Sequence, residues 1–261
     1  MYLINYLRTL SVLHYKRILQ RLPIVQQEHY IPFLILCHPR SGSTLLHTYL
    51  NSHPAIVSKG ERVITDLRYH HQRIDQNYLT EKVFCPQPKQ IKAVGAKFFV
   101  NLVAYPNGRV LIDHLNDIPN LKIILLNRRN LLRVILSNKI AEQTGQMSAW
   151  KKAHELSLES RSIYLDPKEC LALLEKMEEE YDKARKSLDA KNHLTIFYED
   201  LVSRKEATLY SIQKFLQVPP CKLLSLLRQQ NPEPLCELIS NYDDLAKSLK
   251  GSRWEYLLNE K

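Results

Sequence analysis

Between Phe33 and Leu46 the chain reads Phe-Leu-Ile-Leu-Cys-His-Pro-Arg-Ser-Gly-Ser-Thr-Leu-Leu, an apolar run passing into small and hydroxyl-bearing residues. The apolar run suits an interior strand of a parallel sheet. Pro39, Ser41, Gly42, Ser43 and Thr44 suit a tight turn whose backbone N–H groups face a phosphate at the start of a helix. The turn departs from the G-x-x-x-x-G-K-[ST] loop of common ATPases, having one glycine and no lysine, so an ordinary magnesium ATPase is not indicated. Arg40 instead offers a planar guanidinium able to fork onto two oxygens of an oxyanion.

Positive charge gathers downstream. From Pro119 through Ala141 the chain carries Lys122, Arg128, Arg129, Arg133 and Lys139 and no acidic residue, within a net charge of +10. That balance fits general solubility, a field for an anionic nucleotide or acidic acceptor, or a nucleic-acid surface, and charge alone does not choose among them.

Pro39-Arg-Ser-Gly-Ser-Thr-Leu-Leu46 resembles the 5′-phosphosulfate loop of the sulfotransferases that use 3′-phosphoadenylyl sulfate (PAPS). Leu125 through Lys139 resembles their 3′-phosphate motif, an arginine ending a strand and a serine eight residues later, here Arg129 and Ser137. Asn130 matches the family, whereas Leu131 stands where proline is usual. Tyr198-Glu-Asp-Leu201 with Phe215-Leu216 resembles a third family feature, and the segment from Ile239 to Leu257 resembles the tail of bacterial members of carbohydrate type.

The resemblance implies that Arg40, Ser41, Gly42, Ser43, Thr44 and Leu45 hold the 5′ end of PAPS, with Arg40 also meeting charge on the leaving group. It assigns the 3′ phosphate to Arg129 and Ser137, leaving adenosine 3′,5′-bisphosphate as product. Arg128 should point away from Arg129 if the strand persists, and Arg133 is either an accessory contact or a surface residue. Lys97, on a strand-like segment Val94–Val100, resembles a family lysine near the active site and is either a binder of the transferred group or acceptor or a solvent-facing strand lysine. Glu61, in the Lys59-Gly60-Glu61 turn, is the candidate general base, and His53 is the alternative. Tyr69, His70, His71 and Arg73 either line an acceptor cleft or lie exposed. No metal is assigned.

These residues need elements to position them. With 261 residues, 44% hydrophobic and 25% charged, the chain can bury a full core, and 6 glycines favour regular structure. Strands are expected over Ile31–Cys37, Val94–Val100, Leu121–Leu126 and Leu194–Tyr198. Helices are expected over Ser43–Asn51, 111–115, from Asn130, over Met147–Ser162 and from Pro167, with 66–89, polar, aromatic and punctuated by proline, the beginning of an acceptor-side region. The expected fold is a three-layer α/β/α domain on a doubly wound parallel sheet with a P-loop-like turn, covering 1–261 with 1–30 a leading helical segment.

The first residues are apolar but interrupted by Arg8, His14, Lys16 and Arg17, with neither a signal-peptide pattern nor a spanning run. They read as an amphipathic helix that packs on the domain, forms an oligomer interface or touches a membrane surface; oligomeric state stays open. Five scattered cysteines suit reduced thiols in the cytoplasm, with Cys37 a small core residue. The expected activity is sulfuryl transfer from PAPS to a hydroxyl on a small molecule, glycan or glycolipid, without a nucleic-acid partner. The alternatives are a nucleotide-dependent phosphotransferase and a noncatalytic nucleic-acid-binding module.

Overall fold

The computed structural model describes residues 2–21, 26–27, 29–61, 76–101, 115, 118–146, 157–187, 192–227 and 229–259. The chain divides into two compact units, 1–127 with 183–226 and 128–182 with 227–261. Its main strands are β1 (Ile31–Cys37), β2 (Ile56–Ser58), β3 (Ala93–Phe99), β4 (Lys122–Asn127) and β5 (His193–Phe197). Its longer helices are α1 (Tyr2–Arg21), α2 (Ser43–Asn51), α3 (Leu131–Thr144), α4 (Pro167–Ser187), α5 (Tyr198–Ser203), α6 (Lys205–Phe215) and α7 (Tyr242–Leu249).

In the first unit the five strands form one parallel sheet in the order β2-β3-β1-β4-β5. Phe33, Ile35 and Cys37 of β1 face one side and Leu34 and Leu36 the other, all buried. A strand buried on both faces needs helices on both sides, and the fold is the expected three-layer α/β/α arrangement. Leu46 and Leu50 of α2, Leu201 of α5 and Leu209 and Ile212 of α6 share one apolar cluster with Phe33, Ile35, Ile124 and Leu126.

From β1 the chain winds to the edge strand β2, returns to β3, and crosses to β4 and then β5. β1 and β4 are therefore neighbours whose outgoing connections run to opposite edges, with Cys37 level with Leu126. Crevices at such a reversal, beyond the carboxyl ends of the strands, are where open α/β sheets bind ligands. Helix α1 is held by Lys16, whose buried ammonium donates to the carbonyls of Asn51 and Ile56, 2.7 Å each, at the end of α2 and the start of β2.

The second unit starts where Asn130 caps α3, its Oδ1 accepting from Arg133 N at 3.0 Å and its Nδ2 donating to the Leu257 carbonyl at 2.9 Å. Asp166 Oδ1 accepts from Glu169 N at 2.8 Å near the start of α4. Arg161 grips Glu233 with two 2.7 Å bonds, holding that carboxyl below the usual carboxylate range.

Some expectations differ from what is found. The edge strand β2 was not anticipated, since three residues after a proline turn carry little period. Of the helix expected over Met147–Ser162, residues 147–156 lie outside the described residues, and the rest is one turn, Leu158–Arg161, capped by Ser157. In the interval 66–89, residues 66–75 lie outside the described residues, and the rest holds a helical stretch, Gln76–Val83, and Gln87–Pro88, which pairs antiparallel with Gln26–Gln27. Of 111–115 only Leu115 is described.

Candidate active site

The turn after β1 is shaped by two left-handed residues, Arg40 at φ 64° and Gly42 at φ 90°. Only glycine adopts that region freely, so the Arg40 backbone costs on the order of 1 kcal/mol, the kind of strain that collects at ligand-holding turns. The Ser41 hydroxyl, fully buried, donates to the His38 carbonyl at 2.7 Å and braces the turn. Leu46 N donates to Gly42 O at 3.1 Å, opening the helical ladder. The N–H groups of Ser43, Thr44 and Leu45 precede that ladder, and Gly42 at the cap position has no side chain to bond them, which leaves the positive end of α2 suited to an anion.

Tyr198, at the junction of β5 and α5, explains why Gly42 is glycine. A Cβ there would lie 2.3 Å from Tyr198 Cδ2, so the ring rests where any side chain would be. The Tyr-Glu-Asp-Leu motif thus packs its aromatic ring on the anion turn.

Glu61 and Lys97 meet because the β2–β3 pairing continues beyond Ser58. Lys59 N donates to Gly95 O at 2.7 Å and Lys97 N to Gly60 O at 2.8 Å, which sets the two side chains together. Lys97 Nζ lies 2.5 Å from Glu61 Oε1 and donates to Thr44 Oγ1 at 3.1 Å. Its side chain is 2% exposed, that of Glu61 48%. A buried ammonium thereby bridges the anion turn to an accessible carboxylate. Nearby, burial pushes the Cys37 thiol up to about 11, consistent with a packing role.

A residue not picked out from the sequence, His47, supports this turn. Its Nδ1 is 2.7 Å from Ser58 Oγ and its Nε2 accepts from Asn51 Nδ2 at 3.3 Å, while Asn51 also bonds Ser58 N and O at 3.0 and 2.8 Å. Burial, then the ammoniums of Lys97 and Lys16, lowers the imidazole to about 4, so it is neutral near pH 7 and Nδ1–H donates to Ser58. Its ring packs over Gly60, at φ 62°, where a Cβ would lie 3.3 Å away. The available signal was the i, i+4 pair His47 and Asn51 on the helix after the turn.

His53, the alternative base, is used otherwise. Its Nε2 bonds the Pro219 carbonyl at 2.9 Å and its Nδ1 accepts from Ala55 N at 2.9 Å, so both ring nitrogens serve the backbone. Burial also lowers its pKa. The Tyr69, His70, His71 and Arg73 cluster lies outside the described residues.

In the second unit Arg129 is exposed and Arg128 half-buried ahead of the Asn130 cap, and Ser137 is buried on α3. The capping bonds of Asn130 start the helix without the proline usual at the next position. Arg133 is half-buried, and its Nη1 donates to the Asn231 carbonyl at 3.3 Å.

An anion-binding helix start joined through a lysine to an exposed carboxylate can hold an acidic ester and receive a proton beside it. Residues 32–100 and 95–221 match the sulfotransferase family profile. Nodulation protein H of Rhizobium tropici is 28% identical over 229 residues, 84% of this chain and 90% of that protein. Nodulation protein H of Rhizobium meliloti (strain 1021) is 27% identical over 224 residues, 82% and 89%. A sulfotransferase from Alicyclobacillus acidocaldarius shares the fold at TM-score 0.50 and 16% identity, covering 88% of this chain and 96% of its own. With the profile matching well over half of its residues, the chain belongs to the sulfotransferase family.

Proposed function

We propose that this protein moves the sulfuryl group of PAPS to a hydroxyl of a carbohydrate or glycolipid and releases adenosine 3′,5′-bisphosphate. The observation that carries the reading is the Lys97 bridge between Thr44 and Glu61. It joins the turn suited to the 5′ end of the donor to the group suited to deprotonate an acceptor.

The donor would supply a sulfuryl group already activated on phosphate. The N–H groups of residues 43–45, the Thr44 hydroxyl and Arg40 bind and orient its 5′ end, and the positive helix start and guanidinium favour the charge that grows as the S–O bond to phosphate breaks. Arg129 and Ser137 recognise the 3′ phosphate. That these residues and the 5′ loop share one ligand rests on the family resemblance of the two motifs. Glu61 takes the acceptor proton as the acceptor oxygen bonds to sulfur, and Lys97 orients that carboxylate and offsets negative charge beside Thr44.

The carbohydrate preference rests on the resemblance to carbohydrate-type members. Cytoplasmic residence is supported by five free cysteines and by a donor that is a soluble nucleotide.

Titration with adenosine 3′,5′-bisphosphate and with adenosine 5′-monophosphate tests the reading. Arg129→Ala should weaken the bisphosphate by roughly tenfold or more, the scale of one charge-assisted contact, and leave the monophosphate unchanged. Equal losses for both ligands reject the 3′ assignment, and failure of wild type to transfer label from PAPS to any glycan or glycolipid rejects the activity.

A further inference from the structure

Helix α1 has two faces and neither is simply polar. Thr9, Val12, Leu13, Lys16 and Leu19 are buried or half-buried. On the opposite side Leu7, Leu10, Tyr15 and Ile18 are 56, 43, 43 and 45% exposed. Helical spacing sets these four on one broad outward face, with exposed Ser11 and His14 between them. Four large apolar side chains held in water on the face turned away from the buried side mark a binding surface.

The charges around the ridge identify what it meets. Exposed Arg8 borders it beside Tyr15, and exposed Arg17 and Arg21 run along the side of Leu10. Residues 1–27 contain no aspartate or glutamate. Beyond Arg8 lies a surface hollow lined by Arg8, Thr9, Val12, Ser52, Cys221 and Lys222, which adds a second cation on that flank. A second copy of the chain is a poor occupant, because a two-fold contact through the ridge would set arginines against arginines without a carboxylate on either helix. An anionic bilayer surface matches both parts, apolar side chains entering the acyl boundary and cations meeting headgroup phosphates.

We propose that the outward face of α1 is a peripheral docking surface for anionic membranes, with Leu7, Leu10, Tyr15 and Ile18 as the inserted ridge and Arg8, Arg17, Arg21 and Lys222 as its charged rim. The inference is independent of the reaction assigned above. Among the described residues no helix is long and apolar enough to cross a membrane, so the contact is lateral.

Flotation of the full chain with phosphatidylcholine vesicles, and with mixed phosphatidylcholine–phosphatidylglycerol vesicles, tests it. The protein should float with the mixed vesicles and not with the neutral ones, and should be released by high salt. Combined Arg8→Gln, Arg17→Gln and Arg21→Gln should weaken binding on the order of tenfold to a hundredfold, and Leu7→Ser with Ile18→Ser should abolish it. Lys247→Gln, an exposed change elsewhere, should leave it intact, with thermal melts showing that all variants fold. Equal flotation with neutral vesicles, retention by the ridge variant, or a dimer in light scattering that the ridge variant converts to monomer would each overturn the proposal.

Discussion

Lys97 carries its charge with almost no exposure to water, and such an ammonium persists only where partners replace solvent. Glu61 and Thr44 are those partners, so the pair is both structural and suited to catalysis. Glu61→Gln keeps the size and removes the proton-accepting oxygen charge. Transfer rate should fall by about two to four orders of magnitude while adenosine 3′,5′-bisphosphate affinity is retained, measured by steady-state kinetics beside calorimetry. An unchanged rate removes Glu61 as the base. Both residues could be named from the sequence through family resemblance, but their contact could not, because it depends on pairing between β2 and β3 that a three-residue strand scarcely announces. His47 was missed for a similar reason. Nothing in its neighbours shows that Ser58 will come within 2.7 Å of its ring.

At the level of elements, the anion turn is set by β1 and α2 on one side and by the β5–α5 junction on the other. Gly42→Ala should destabilise the protein by about 2 kcal/mol or more, combining a left-handed φ with overpacking against Tyr198. Adding Tyr198→Ala should recover part of that loss, because the clash would be gone. Urea denaturation of the single and double variants measures the coupling, and strict additivity would show that the ring does not restrict the turn. β1 and α2 were readable to the residue, since a long apolar strand, a glycine and a following apolar period mark each boundary. β4 was placed one residue early, because its last residue, Asn127, is strand only through its pairing with Phe197 of β5.

Across the whole molecule, acid should act partly through His47. Its ordinary pKa of about 6.5 applies in the unfolded chain, whereas burial and two lysines lower it to about 4 in the fold, with Glu61 opposing them weakly. Between these values the unfolded chain binds a proton that the folded one refuses, so stability rises with pH. It is complete above about 6.5 and declines on acidification toward about 4, by at most about 1.4 kcal/mol per pH unit. His47→Gln should flatten this interval in denaturation curves taken at a series of pH values, and an unaltered slope would assign the acid sensitivity elsewhere. The fold class and the family were legible because local patterns encode them; the support behind Glu61 was not, because it is assembled from α1, α2 and β2. Lys16 extends that support to the leading segment, reaching from the first helix to the carbonyls where the edge strand begins. Trimming away those opening residues would therefore remove the tie between the end of α2 and the start of β2, the strand whose continuation carries Glu61.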